Sequence, residues 1–163
     1  MNQGKISRIA PYSIVILLSF VIACSIFSWS CSTVPTPPVR VIGTWQLLSG
    51  TTITKGIVSV TDYTKGQRMI KIVNDSYFAF LKHDLNAPKD SSNHFDAGGG
   101  SYSLVGDQYT EHLDYYSDRN WEGKPFTFTV SINNDTLIQR GIEKVEKEGV
   151  EREIIEKYIR VRE

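Results

Sequence analysis

The sequence predicts an all-β domain, an eight-stranded antiparallel up-and-down barrel, behind an N-terminal signal or anchor segment. Three observations carry this expectation. Eight short runs of alternating apolar and polar residues follow one another between residues 43 and 162, with turn chemistry about every eight to twelve residues. No stretch before the last shows a helical apolar stripe. The connections are short and include no long crossover, which favours successive hairpins over a Greek-key sandwich.

The first element is the address. Residues 1–11 carry Lys5 and Arg8 and no acid, and Tyr12–Ala23 is almost unbroken in apolar residues. A basic stretch followed by an apolar one is the pattern of a secretory signal. Extended to Trp29 the run has about the length of a membrane span, so an uncleaved anchor is the alternative. Val21-Ile22-Ala23-Cys24 resembles the bacterial lipobox, in which small residues precede a cysteine that is lipidated. Cys31 is the second candidate, because Ser32–Pro38 after it looks like the tether of a mature lipoprotein. The motif favours Cys24 and the tether favours Cys31. Acylation would hold the chain on a membrane, since each buried CH₂ adds roughly 0.8 kcal/mol. The expected organisation is therefore a signal or anchor over 1–24, a Pro-rich tether over 25–40 and the barrel over 41–163. Its expected location is the cell envelope of a Gram-negative bacterium, facing periplasm or cell surface.

Composition narrows the partners. The 163 residues hold 18 acidic and 18 basic side chains, a balance that argues against nucleic-acid binding, which needs an excess of Lys and Arg. Residues 1–40 contain three basic and no acidic side chains, which leaves 15 basic against 18 acidic in the domain. Such a surface does not suggest adsorption to anionic headgroups. Both cysteines lie before residue 41, so the domain must rely on its core and not on disulfides.

The strands follow in order. Gly43–Thr54 is the first, then Gln67–Val73 and Tyr77–Asp84 across Asn74-Asp75-Ser76. Ala97–Val105 and Gln108–Ser117 meet at Gly106-Asp107, and Phe126–Asn133 and Thr136–Val145 at Asn134-Asp135, both tight hairpin signals. Arg152–Arg162 is last, reached through Glu146–Gly149. Residues 142–158 are rich in helix formers, but their apolar positions form no stripe and Gly149 interrupts them, so a hairpin is expected.

Gly43-Thr44-Trp45 at the start of the first strand resembles the G-x-W motif of lipocalins, which closes one end of their barrel. Residues 41–162 are similar more specifically to short lipocalin-like lipoproteins of Bacteroidetes. Ala97–Tyr102, Tyr109–His112, Trp121–Lys124 and Glu156–Arg160 carry the similarity. Thr61-Asp62-Tyr63 imitates a second lipocalin motif but sits between the first two strands. The resemblance implies a barrel with a ligand cavity, and it implies that Arg160 lies against Trp45 at the closed end in a structural cation–π contact. It does not imply which ligand is bound.

Candidate site residues come from asking which polar side chains point inward. Phe126, Phe128, Val130 and Ile132 alternate with Thr127, Thr129 and Ser131, and exposing the first set would forfeit roughly 1.5–3 kcal/mol per residue. In Gln108–Ser117 the set Tyr109, Glu111, Leu113 and Tyr115 is the more apolar, so Glu111 is expected inside. In Thr136–Val145 the set Ile138, Arg140 and Ile142 is the more apolar, so Arg140 is expected inside as well. Glu111 and Arg140 then meet across Phe128. One reading makes them a structural ion pair. The other makes Arg140 a receptor for a ligand carboxylate, with Tyr102, Tyr109 or Tyr115 lining the cavity.

Other constellations are weaker. His83, His94 and His112 lack metal-site spacing, and Asp84, Asp90 and Asp96 lack the spacing of a calcium loop, so no metal is expected. Gly98-Gly99-Gly100 has no following Lys-Ser/Thr or helix and is read as a bulge or bend, not a phosphate loop. No catalytic set and no cofactor motif stands out. The leading expectation is a lipid-anchored binding protein for a small hydrophobic or amphipathic ligand. The alternatives are a filled structural barrel acting as an envelope interaction module, and an enzyme using His83 or His112 beside Glu111 at the barrel mouth.

Overall fold

The computed structural model describes residues 39–86 and 94–162. The signal or anchor segment, Cys24, Cys31 and most of the tether lie outside the described residues, as does Asp90.

The chain order is β1 (Gly43–Thr54), β2 (Ile57–Asp62), β3 (Gln67–Val73), β4 (Tyr77–Asp84), β5 (Phe95–Val105), β6 (Gln108–Leu113), β7 (Tyr115–Tyr116), β8 (Lys124–Asn133), β9 (Thr136–Val145) and β10 (Val150–Arg160). All pairings are antiparallel. β1, β3, β4, β5, β6, β8, β9 and β10 pair in meander order, and β10 returns to β1 to close an eight-stranded barrel. β7 continues the line of β6 along β5. Closure leaves the barrel wall itself without a free edge.

The turns match their sequences. Gly106 takes a left-handed conformation at the β5–β6 turn and Asn134 at the β8–β9 turn. Asn74 caps the β3–β4 turn, its Oδ1 accepting the N–H groups of Ser76 and Tyr77 at 2.9 and 2.7 Å. Glu146–Glu148 form one 3-10 turn that ends at Gly149.

β2 is absent from the sequence reading. The gap between the first two expected strands holds it, paired with the second half of β1 from Thr54↔Ile57 to Ser49↔Asp62. The first half of β1 pairs with β3. β1 is therefore a shared strand whose Gly43–Gln46 stretch belongs to the barrel wall beside β3 and whose Ser49–Thr54 stretch carries a hairpin arm. A register shift between Leu47 and Ser49 against β10 marks the change.

A second bulge corrects an expected face. Tyr102 pairs with Glu111, but Gly99 pairs with Tyr115, so the β6–β7 side has one residue more than β5 over the same span. Alternation flips there. Tyr109, Glu111 and Leu113 point inward as their pattern requires, yet Tyr115 points out and Tyr116 takes the inward position. Gly100 stands opposite the bulge, where a Cβ would run into the backbone of His112 and Asp114.

The core fills one half of the barrel. Val41, Trp45, Leu47, Val73, Phe78, Tyr109, Phe128, Val130, Leu137 and Tyr158 are buried there, and Val39 packs against them. Trp45 seals that end: its indole N–H donates to the Val41 carbonyl at 2.7 Å. The Arg160 guanidinium lies 4.0 Å from the centre of its ring, with Nη1 donating to the Ile42 carbonyl at 2.9 Å.

Candidate functional site

β3 supplies the residue on which the interior turns. Its alternation sends Met69, Lys71 and Val73 inward and leaves Arg68 and Ile72 outside. Lys71 sits opposite Trp45 on β1 and Phe80 on β4, at mid-height in the barrel. Its ammonium donates to Glu111 Oε1 at 2.7 Å and to Gln139 Oε1 at 3.0 Å. It also lies 5.8 and 5.4 Å from the ring centres of Phe78 and Tyr158. The Lys71 and Glu111 side chains are only 4% and 10% exposed. Two charges so deep are tolerated because each is paired and hydrogen-bonded. Burial still pushes the Glu111 carboxyl above its ordinary range, against the pull of Lys71.

Arg140 is therefore not the partner of Glu111. It lies on the outer wall, 59% exposed, in a 2.5 Å ion pair with Glu153 of β10. The inward face of β9 is Leu137, Gln139, Gly141, Glu143 and Val145, whose middle three residues are less apolar than the outward Ile138, Arg140 and Ile142. The pattern misleads because β9 contributes two polar side chains to the interior and places Ile138 and Ile142 on the wall.

Above the belt of Lys71, Glu111 and Gln139 a cavity of about 170 Å³ opens toward solvent. One side is an arc of aromatic rings. Phe80 to Tyr116 is 6.0 Å between centres, Tyr116 to Trp121 is 6.4 Å and Trp121 to Phe126 is 5.7 Å. The other side, from β9 and β10, is charged. Arg152 pairs with Glu143 at 2.6 Å and stacks 5.6 Å from the Trp121 ring. Glu156 accepts the Tyr158 hydroxyl at 2.7 Å. Lys82 and Asp96 face each other at 3.9 Å near the rim. Burial raises the Glu143 carboxyl, with Arg152 opposing and the charges of Glu156 and Glu111 adding to the rise. The Tyr116 hydroxyl is pushed up to about 12, first by burial and then by Asp96.

Trp121 is held by the segment between β7 and β8. Asp118 accepts the backbone N–H groups of Asn120, Trp121 and Glu122, through its side chain for the first and its carbonyl for the others. Asn120 reaches across to Glu148 on the 3-10 turn. The indole is thus carried over the barrel opening on a short braced loop.

The expected site residues divide as follows. Glu111 and Phe128 line the cavity. Tyr109 is buried on the closed side of the belt, and its hydroxyl has no hydrogen-bond partner among the described residues. Tyr102 packs on Tyr109 at 5.1 Å and donates to the Asn74 carbonyl at 2.8 Å, away from the cavity. Tyr115 and Arg140 are on the outside. His112 alternates with Glu111 and is exposed on the outer face, so the two do not meet, and His83 is exposed as well. Among the described residues no three His, Cys, Asp or Glu side chains converge as a metal site would require.

Sequence reasoning missed Lys71, Gln139, Glu143, Arg152, Glu156 and Trp121. One signal was available: a buried Glu111 demands an inward cation, and Lys71 alternates with Met69 and Val73.

No family model matches the chain, and no curated protein does. Solved structures similar to it include the following two. A lipocalin-like protein from Bacteroides uniformis has 19% identity and a TM-score of 0.47, over 74% of this chain and 97% of that one. An uncharacterized protein from Bacteroides eggerthii has 15% identity and a TM-score of 0.41, over 74% of this chain and 98% of that one.

Proposed function

We propose that the chain is a lipid-anchored cell-envelope protein whose lipocalin-like barrel binds a small amphipathic molecule with a cationic head. The observation that carries this reading is the asymmetry of the cavity. Its lining has four carboxylates, Asp96, Glu111, Glu143 and Glu156, against three cations, Lys71, Lys82 and Arg152. Lys71 is engaged by Glu111 and Gln139, and Arg152 by Glu143 and Trp121. Among the described residues Glu156 has only the neutral Tyr158 hydroxyl as a hydrogen-bond partner. An ammonium head would complete that carboxylate, while an apolar body lies along Phe80, Tyr116 and Phe126. A fatty acid fits this site less well, because Lys71 and Arg152 are engaged and among the described lining residues only Lys82, 3.9 Å from Asp96 near the rim, is left for its carboxylate. The cavity is also below the ~300–1,000 Å³ of ordinary ligand pockets.

Calorimetric titration with phenethylammonium and with phenylpropionate, which share a body and differ in the sign of the head, tests this. The amine binds and Glu156→Gln abolishes its binding. Preference for the carboxylate, or an amine affinity indifferent to Glu156→Gln, overturns the reading. The anchor is tested separately by palmitate labelling, expected to vanish in Cys24→Ala. Labelling lost only in Cys31→Ala moves the attachment to that residue, and labelling unaffected by either removes the anchor.

A second reading has its own observation. Lys71 bonds both Glu111 and Gln139 across the barrel interior, as the members of a filled structural barrel would. Failure of both ligands to bind, with the wild-type barrel folded, favours this interaction-module reading.

A further inference from the structure

We infer that β2 is an assembly edge through which two copies of this chain pair antiparallel, strand to strand, about Ser59. The inference is independent of the cavity.

β2 ends the sheet: among the described residues it pairs only with β1, so its other side presents unpaired backbone donors and acceptors. All six of its residues are exposed, with Ile57 at 74%, Val58 at 61% and Val60 at 67%. Edge strands are normally blunted by proline, lysine, a bulge or an inward charge, and Ile57–Val60 has none of these. The closed wall of the barrel avoids an edge, and the β1–β2 arm creates one.

The geometry of the arm selects the occupant. Lys55 and Gly56 both have positive φ and form a two-residue hairpin turn, which makes Thr54 and Ile57 a hydrogen-bonded pair. Pairs then alternate, so Ile57, Ser59 and Thr61 direct their backbone groups to β1. Val58, Val60 and Asp62 direct theirs outward. A second antiparallel strand must therefore match outward residue to outward residue. For β2 against itself, the register centred on Ser59 places Val58 opposite Val60 twice, joined by four backbone hydrogen bonds. Centring on Val60 would set Val58 against Asp62, and centring on Val58 would spend Val60 on Gly56. Only the Ser59 register pairs apolar with apolar on both sides of the axis.

Charge agrees with that register. Asp62 of one copy falls opposite Gly56 of the other, next to Lys55, and the reciprocal contact repeats it. Asp62 also pairs with Lys65 of its own chain at 3.4 Å, so each end of the pairing places one carboxylate between two lysines. The apolar side chains also continue an existing stripe. Val60 lies beside Thr51 and Ile155, and Val58 beside Ile53, on the same outer face as Arg140 and Ile142. Pairing joins two such stripes across the two-fold axis.

Oxidative cross-linking of the full-length protein tests the register. Ser59 faces its symmetry mate in a non-hydrogen-bonded pair, with Cα atoms about 4.5 Å apart, close enough for a disulfide. Ser59→Cys should give a covalent dimer well above the background of Cys24 and Cys31. Thr61→Cys should not, because the two copies are offset by four residues, beyond the ~7 Å limit between Cα atoms. Adding Val58→Lys and Val60→Lys should eliminate the Ser59→Cys dimer, with the far-ultraviolet circular dichroism unchanged because these side chains are exposed. Sedimentation of the uncross-linked wild type at tens of micromolar should give the dimer mass and the double lysine variant the monomer mass. A monomeric wild type, equal cross-linking from Thr61→Cys, or a Ser59→Cys adduct of a mass other than two chains overturns the inference.

Discussion

The two ends of this barrel are built from the same strands in opposite ways. At the closed end β1, β3, β8 and β10 send in Trp45, Val73, Val130 and Tyr158, and the charge present, Arg160, is held mainly by a ring face and main-chain carbonyls, with the Asp135 carboxylate 4.0 Å away. At the open end β3, β9 and β10 send in Lys71, Glu143, Arg152 and Glu156, and charges are answered by other charges. The belt of Lys71, Glu111 and Gln139 divides them. Packing at one end is constrained chiefly by shape, whereas the other must keep polar groups and space. Stability should therefore be concentrated at the closed end and binding at the open one.

The largest effect expected from that contrast is at Trp45. Trp45→Ala should cost about 3–5 kcal/mol, as truncating a packed aromatic does, and should be read from urea melts. A loss under ~1 kcal/mol would mean that the indole does not seal the barrel. At the dividing belt, Lys71→Ala should also cost about 3–5 kcal/mol at neutral pH by leaving Glu111 buried without its partner. Lys71→Met combined with Glu111→Leu should recover most of it. A double variant as unstable as the single one would show that the belt is needed for more than mutual neutralisation.

A smaller effect separates the ends by pH. The Tyr116 hydroxyl is pushed up to about 12 and those of Tyr109 and Tyr158 are raised as well, in each case chiefly by burial. In the unfolded chain these groups release protons near their ordinary value of 10.0. The stability they contribute is whole below that pH and declines as pH rises from 10 toward 12, because only the unfolded state gives up its protons there. Phenolate absorbance should show Tyr116 titrating before global unfolding and the two deeper tyrosines only with it. Simultaneous early titration of all three would erase the distinction between the ends. The smallest effect is at the outer wall, where Arg140→Ala should leave the urea midpoint unchanged, since an exposed ion pair is screened.

The barrel was legible from the sequence and its cavity was not, for one physical reason. Strand β8 could be read because its inner face is purely apolar, Phe126, Phe128 and Val130 against threonine and serine. β9 reads backwards because its inward positions hold Gln139 and Glu143 while Ile142 stands outside, and β3 offers no clear face because Lys71 points inward and Ile72 outward. Alternation finds the interior only where the interior is oil. Glu111 could be placed because Tyr109 and Leu113 flank it, whereas the partner it needs lies forty residues away and no local pattern names it. β2 escaped because it has no buried face at all, so nothing in Ile57–Asp62 reports a core.

The extra residue at Leu113–Tyr115 acts on the strand as a frameshift acts on a coding sequence. Everything after it is read in the other phase, which is why Tyr116 and not Tyr115 looks into the cavity. Deleting Asp114 would close the bulge and keep Tyr115 outside and Tyr116 inside, now in plain alternation after Leu113, at the cost of the carboxylate that accepts the Ser101 N–H at 3.0 Å. The bulge thus lets two residues, Asp114 and Tyr115, pass between the inward Leu113 and the inward Tyr116 where regular alternation allows one, and the aromatic arc depends on that local slack as much as on residue identity.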